Sequence, residues 1–386
     1  MSSFAKNNNN NSNVPTAQAV PVMVQHHSSN NVPVFIGNQQ QQSFLGQQQQ
    51  QPQRTQQVIE RSKTFLQSNN WPSGLADSMI GDLNQVWKRF FIVDDSGSMN
   101  ANDGNKIEVT RSRGPMVVKC SRWAELKSAV DFHAEFAYLS QSTSEFRLLN
   151  AGAPLTIGQR EDNGESLQLF RGILSGGATG GTPLCYHITQ IANEIKQMEA
   201  TLRHENKRVT VTIFTDGESS DGDVAQALRQ LERLPCWVCI RLCTDEENVV
   251  NYWNNVDNNL ELAMDVLDDL FGEADEVYEH NNWLTYGEPL HRFREFGTHR
   301  KELDMLDEMD LSTEHLRGTL SILFGGREND YPHPEADFKD FYNYLERDIL
   351  QNNPPVLNPR TRTVEPWINL KNIAKKYGKD GGCILM

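Results

Sequence analysis

The chain carries 51 acidic against 36 basic side chains in 386 residues, a formal net charge of -15, and 38% of its residues are hydrophobic. Such acidity repels nucleic acid and excludes it as a partner of the folded part, while this length and apolar content suffice for one large domain with appendages or for two domains. The six cysteines (Cys120, Cys185, Cys236, Cys239, Cys243 and Cys383) make no disulfide framework in a chain this long, the first thirteen residues lack a signal-peptide core, and no run reaches the roughly 20 apolar residues of a spanning helix, so the chain reads as cytoplasmic.

Residues 1–57 are low in complexity, with Asn and Gln runs at 7–11, 39–42 and 47–51. They bury too little apolar surface to offset ordering entropy, and the segment is expected to be a disordered spacer. Residues 58–86 regain helical periodicity through Leu75, Met79, Ile80 and Leu83, a short amphipathic lead-in. Between 87 and 281, strands at 90–93, 146–149, 155–157, 209–214 and 237–243 alternate with helices at 122–139, 167–174, 183–204, 223–234 and 249–260. Asp223 stands where it caps the fourth of those helices. The alternation predicts an α/β fold, doubly wound, with a mostly parallel central sheet and helices on both faces. Residues 282–353 read as a helical extension, with helices at 290–306, 311–323 and 338–350. Residues 354–386 are a basic tail, in which Arg360, Arg362, Lys371, Lys375, Lys376 and Lys379 outweigh Glu365 and Asp380.

The chemistry concentrates where the first buried strand stops. Phe90-Phe91-Ile92-Val93 runs into Asp94-Asp95-Ser96-Gly97-Ser98. In an open α/β sheet ligands bind just beyond the carboxyl ends of strands, and Asp94, Ser96 and Ser98 offer oxygens, the donors hard cations prefer. Gly97 is expected to give the tight backbone turn between the serines. Downstream, Gly180-Gly181-Thr182-Pro183-Leu184 sets a hydroxyl in a glycine-rich loop before a helix, and the strand at 209–214 ends in Thr215-Asp216-Gly217.

This set, D-x-S-x-S, then a loop threonine, then a strand-end aspartate, resembles the von Willebrand factor type A (vWA) family and its metal-ion-dependent adhesion site, over residues 87–281. The resemblance carries over as metal ligands Asp94, Ser96, Ser98, Thr182 and Asp216, with Asp216 holding a coordinating water. It implies Mg²⁺, or another divalent cation such as Mn²⁺ or Ca²⁺, completed by a carboxylate of a protein partner that presents an Asp or Glu. It also implies that the Thr182 loop moves when that ligand arrives. Taken by itself, the 94–98 segment also reads as a strand-to-helix turn whose serines cap the next element. A soluble scaffold with a merely structural metal is the alternative. A phosphatase-like hydrolase is a further one, disfavoured because Ser96 stands where a D-x-D motif needs a second carboxylate; the chain is therefore expected not to be an enzyme.

Other clusters read as structural. Cys236 and Cys239 face opposite sides of a strand and cannot share zinc. His291 and His299 lack an H-E-x-x-H pattern, and the acidic run Glu302, Asp304, Asp307, Glu308 and Asp310 lacks the glycine and spacing of a calcium loop, which leaves a solvated helix face. The chain ends Cys383-Ile384-Leu385-Met386, a C-a-a-X pattern read by farnesyltransferases. One prenyl chain holds a membrane marginally, so the lysines are expected to supply the second signal against an anionic membrane, at about 1 kcal/mol each. The expectation is a metal-dependent binding module tethered to the cytosolic face of a membrane.

Overall fold

A computed structural model of the chain describes residues 54–110, 114–244, 246–298 and 300–378. Two helices, α1 (Gln56–Ser68) and α2 (Ser73–Asp82), stand where one lead-in helix was expected. The break lies just ahead of Pro72, with Asn70 in the left-handed region at φ 60°; a proline pushes the residue before it out of helical conformation. There follow β1 (Val86–Val93), a hairpin of β2 (Gly104–Thr110) and β3 (Gly114–Cys120), α3 (Arg122–Ser140), β4 (Ser144–Leu148), β5 (Leu155–Ile157) and α4 (Glu165–Leu174). Next come α5 (Leu184–His204), β6 (Arg208–Thr215), α6 (Val224–Leu228), β7 (Cys236–Leu242), α7 (Glu247–Asn258), β8 (Met264–Leu267) and α8 (Leu270–Asn281). The extension holds α9 (Glu288–Glu295), α10 (Lys301–Glu308), α11 (Thr313–Phe324) and α12 (Phe338–Tyr344), and the chain closes with β9 (Val356–Asn358), β10 (Thr363–Glu365) and α13 (Leu370–Tyr377).

Six strands form the central sheet in the order β5-β4-β1-β6-β7-β8. All neighbours are parallel except the edge strand β5, which runs antiparallel to β4. The fold is thus α/β with helices on both faces. The two-residue period of a strand sorts β1 between two cores: Phe90 and Ile92 meet α5, α6 and α7, while Phe91 and Val93 meet α3, α4 and the extension. Asp223 caps α6 as the sequence predicts, accepting from Ala225 N at 2.9 Å.

On β6 the same alternation puts Val209, Val211 and Ile213 in the second core, and the intervening Thr210 and Thr212 face the extension. Threonine fits there because a backbone, not a side chain, lies over the strand. Thr212 Oγ1 donates to Glu295 O at 2.9 Å, and Gly297, at φ +77°, comes so close that a Cβ on it would fall 2.6 Å from Thr210 Cβ. The break between α9 and α10 includes this glycine, where one continuous helix had been expected.

Residues 356–377, read as part of the basic tail, form the β9–β10 hairpin and α13. Trp367 and Ile373 are fully buried, and Thr285 N and Asn369 N exchange backbone bonds with Trp367 and Trp283 at 2.9 and 2.7 Å. Two of the basic side chains are engaged within the protein: Lys376 with Asp310 at 2.8 Å, and Arg360 with Asp275 and over the Tyr278 ring. Arg362, Lys371 and Lys375 are exposed. Lys379, Asp380, Cys383 and the rest of the C-a-a-X terminus lie outside the described residues, as does the Asn/Gln-rich segment 1–53. No helix among the described residues is long and apolar enough to cross a membrane.

Candidate metal centre

Counted along the chain, the sheet strands stand in the order 3-2-1-4-5-6, which reverses direction between β1 and β6. At such a switch point the connections leave to opposite faces and open a crevice beyond the strand ends, where ligands of doubly wound sheets bind. Asp94 is the first residue after β1, and Asp216 the first after β6. The pairing continues into the site, for Asp94 N donates to Phe214 O at 3.0 Å.

Four of the five predicted residues are joined side chain to side chain or through one residue's backbone. Asp94, fully buried, accepts from Ser96 N at 2.9 Å on Oδ1 and from Thr215 Oγ1 at 2.7 Å on Oδ2. Ser96 Oγ lies 2.9 Å from Ser98 Oγ, and Ser98 Oγ donates to Asp216 Oδ1 at 2.8 Å. Ser96 stands at the cap of the short 3₁₀ turn Gly97–Asn100, yet its side chain makes no cap bond. The serine hydroxyls therefore point along the Asp94–Asp216 line and do not serve the following turn. Thr182, the fifth, makes no hydrogen bond to the other four: Thr182 N donates to Ser220 Oγ at 2.9 Å, and its carbonyl accepts from Ser220 N at 2.8 Å, which ties its loop to the segment after β6. Gly97 N to Gly180 O at 3.1 Å and Thr179 N to Asp95 O at 2.6 Å tie the same glycine loop to the β1 side.

Burial pushes the Asp94 carboxyl above the usual carboxylate range; the Ser96 and Thr215 hydrogen bonds pull it back, and the nearby Asp216 carboxylate pushes with burial. The donor set fits a hard divalent cation. It is all oxygen, with one carboxylate and two hydroxyls in a strand-end cluster and a second carboxylate opposite.

Several residues of the site were not legible beforehand. Thr215 holds Asp94. Asp95, also buried, accepts from both Asn150 N at 2.8 Å and Asn150 Nδ2 at 3.0 Å, and Asn150 Nδ2 donates on to Gly181 O at 2.8 Å. Arg122, the first residue of α3, donates from Nη1 to Asp216 Oδ2 at 3.1 Å. The doubled acid of Asp94-Asp95 was the available signal for the second; nothing local marks Arg122. The expectation for Gly97 is corrected. Its φ is negative, and a Cβ there would meet its nearest neighbour at 3.6 Å. The demand falls on Gly180, at φ +94°, where a Cβ would fall 2.3 Å from Asn150 Oδ1.

The remaining clusters sort as follows. Cys239 and Cys243 are buried free thiols and Cys236 a half-buried one, pushed up by burial to about 12 in the case of Cys236. His291 is buried and lies 3.3 Å from Glu295, one turn on; His299 lies outside the described residues. Asp307 is not solvated as expected of its acidic run, but turns in to Arg294 at 3.1 Å, and its carboxylate lies with those of Glu273 and Glu276 within 4.8 Å of one another. Compared with the models of known protein families and with curated proteins, the chain matches none.

Proposed function

We propose that the chain is a vWA-like protein-binding module that captures an acidic side chain of a protein partner through a divalent cation, Mg²⁺ or a similar ion, at Asp94, Ser96, Ser98, Thr182 and Asp216. The observation that carries the reading is the run of hydrogen bonds from Asp94 through the Ser96 amide and the Ser96 and Ser98 hydroxyls to Asp216, two strand ends 122 residues apart in sequence brought together at the switch point of the sheet. A cation held there supplies a coordination position that a partner's Asp or Glu completes. The chain's own residues prepare that position. Thr215 and the Ser96 amide orient Asp94, Ser98 stays exposed at the rim, and Gly180, Asn150 and Asp95 hold the glycine loop against the β1 end. The loops at 94–103, 149–154, 175–183 and 216–223 contain no Lys, Arg or His, so a partner brings its carboxylate on an otherwise neutral or basic surface.

The test is a capture experiment from cell extract with wild type and Asp94→Ala, each with Mg²⁺ and with EDTA. A partner held only by wild type with Mg²⁺ is the expected result. Equal capture in all four conditions would mean that the ion, if bound, is structural.

We further propose that the prenylated C terminus tethers this module to an anionic membrane on its cytosolic face. With Arg360 and Lys376 paired at the surface with Asp275 and Asp310, fewer free cations than the sequence implies back up the lipid. The tether should thus depend steeply on the lipid: Cys383→Ser is expected to move the protein from the membrane to the soluble fraction on sedimentation, and persistence on membranes would count against it.

A further inference from the structure

Asp216 is 1% exposed at its side chain, and both of its oxygens are taken: Oδ1 by Ser98, and Oδ2 by the Arg122 guanidinium at 3.1 Å. Arg122 opens α3 directly after its cap, Ser121, which accepts from Ala124 N at 3.2 Å. That position lets one side chain reach three strand-end loops. While Nη1 meets Asp216, Nε and Nη2 clasp Asp103 at 2.8 and 2.5 Å, and Nη2 also meets Glu246 at 2.5 Å. The three carboxylates differ in one respect. Asp103 and Glu246 are 46% and 58% exposed and have water as an alternative partner; Asp216 does not.

A guanidinium stays charged at any physiological pH. The loops beside Asp216, at 94–103, 149–154, 175–183, 216–223 and 243–246, contribute no basic side chain. The positive charge that compensates Asp216 therefore comes from the first turn of α3. A divalent cation in the same place competes with it directly, since two like charges a few ångströms apart repel strongly at a half-buried site. The guanidinium has somewhere to go, because its other nitrogens already hold Asp103 and Glu246.

Resting on the cation-site reading above, we propose that Arg122 is the resident counter-charge of this centre: it holds Asp216 in the place of the cation, and its release toward Asp103 and Glu246 sets how readily the site loads. Loading then costs the separation of an ion pair, and the loops after β1, β6 and β7, joined through this one side chain, respond together. Arg122 is a positioning residue, not a ligand. A merely structural staple would affect stability and leave cation affinity alone.

The experiment is Mn²⁺ binding to the full chain, followed by the electron paramagnetic resonance of free Mn²⁺, in wild type, Asp94→Ala, Arg122→Gln, and the pair Asp103→Asn with Glu246→Gln in both the wild-type and Arg122→Gln backgrounds. Arg122→Gln is expected to tighten Mn²⁺ binding by about tenfold or more, the effect of removing one nearby like charge. The Asp103/Glu246 pair is expected to weaken it, because Arg122 loses its alternative partners, and to weaken it much less when Arg122 is already absent; that non-additivity separates a competing arginine from the plain field of two carboxylates. An unchanged affinity in Arg122→Gln, or an identical effect of the pair in both backgrounds, overturns the proposal while leaving the cation site intact. Equal binding by wild type and Asp94→Ala overturns the site itself and the proposal with it. If circular dichroism finds Arg122→Gln unfolded, Arg122→Met, which keeps the length of the stem and removes the charge, replaces it as the background and is expected to bind more tightly than wild type.

Discussion

Glu295→Ala should cost about 3–5 kcal/mol of unfolding free energy, the usual penalty for leaving a buried charge without its partner. Glu295 ends α9 and is fully buried against the sheet. Its carboxylate meets Arg241 Nε at 3.1 Å, Arg292 Nη1 at 2.7 and 3.0 Å, His133 Nε2 at 3.0 Å and His291 at 3.3 Å. Burial by itself would raise this carboxyl, but Arg292, His291 and His133 outweigh it and hold it well below the usual range. Arg241 sits on β7, a central strand where an apolar side chain is the rule, and on its other side Nη2 meets Glu125 of α3 at 2.5 Å. Alanine at 295 leaves two guanidinium groups sharing too few carboxylates in a place water does not reach. Glu295→Gln keeps part of the hydrogen bonding and should lose less. Urea denaturation followed by tryptophan fluorescence measures both; a loss below about 1 kcal/mol for alanine, within the range of ordinary surface changes, would remove this network from the list of what fastens the extension to the sheet.

Deleting residues 354–386 should abolish a stable fold, whereas deleting 379–386 should not. The longer deletion removes Val356, Leu357, Trp367, Ile368 and Ile373, all buried. At about 1.5–3 kcal/mol for each fully buried apolar side chain, the sum is comparable to the roughly 5–15 kcal/mol by which a whole domain is stable. It also strips the partners of Thr285 N, Thr285 Oγ1 and the Asn282 carbonyl, and uncovers Trp283. Every contact just named lies upstream of Lys379, so the shorter deletion keeps them and takes away only the proposed lipid site. Thermal unfolding by circular dichroism compares the two; a cooperative transition near the wild-type temperature in the longer deletion would refute the argument. The comparison also separates two roles that the sequence merged into a single basic tail, a folded closing segment and a tether.

The pattern of what was legible follows from the range of the interactions involved. Apolar runs such as 90–93 and 209–214 announce buried parallel strands, and the helices that cover them carry their own periodicity. The oxygen-bearing residues at the strand ends stand in short motifs whose order can be read directly. The hairpin β2–β3 escaped because most of it is half-exposed, which weakens the alternation, and β8 because Met264-Asp265-Val266-Leu267 is too short and carries a charge in its middle. Asp265 is tolerated there by Arg294 at 3.4 Å, a residue 29 positions later.

Local order along the chain therefore determined the α/β class, the placement of Asp94 and Asp216 just past two strand ends, and the cap at Asp223, because each depends on neighbours within a few residues or on a two- or 3.6-residue period. Tertiary structure alone decided which charges meet. Arg122 finds Asp216 and Glu246 across 94 and 124 residues, Arg241 finds Glu125 and Glu295 across 116 and 54, and Gly297 rather than a side chain lies over Thr210. Nothing in a charged residue's local context names its partner. Only the packing of α3 and α9 on one face of the sheet brings these groups within hydrogen-bond distance and excludes the water that would otherwise screen them.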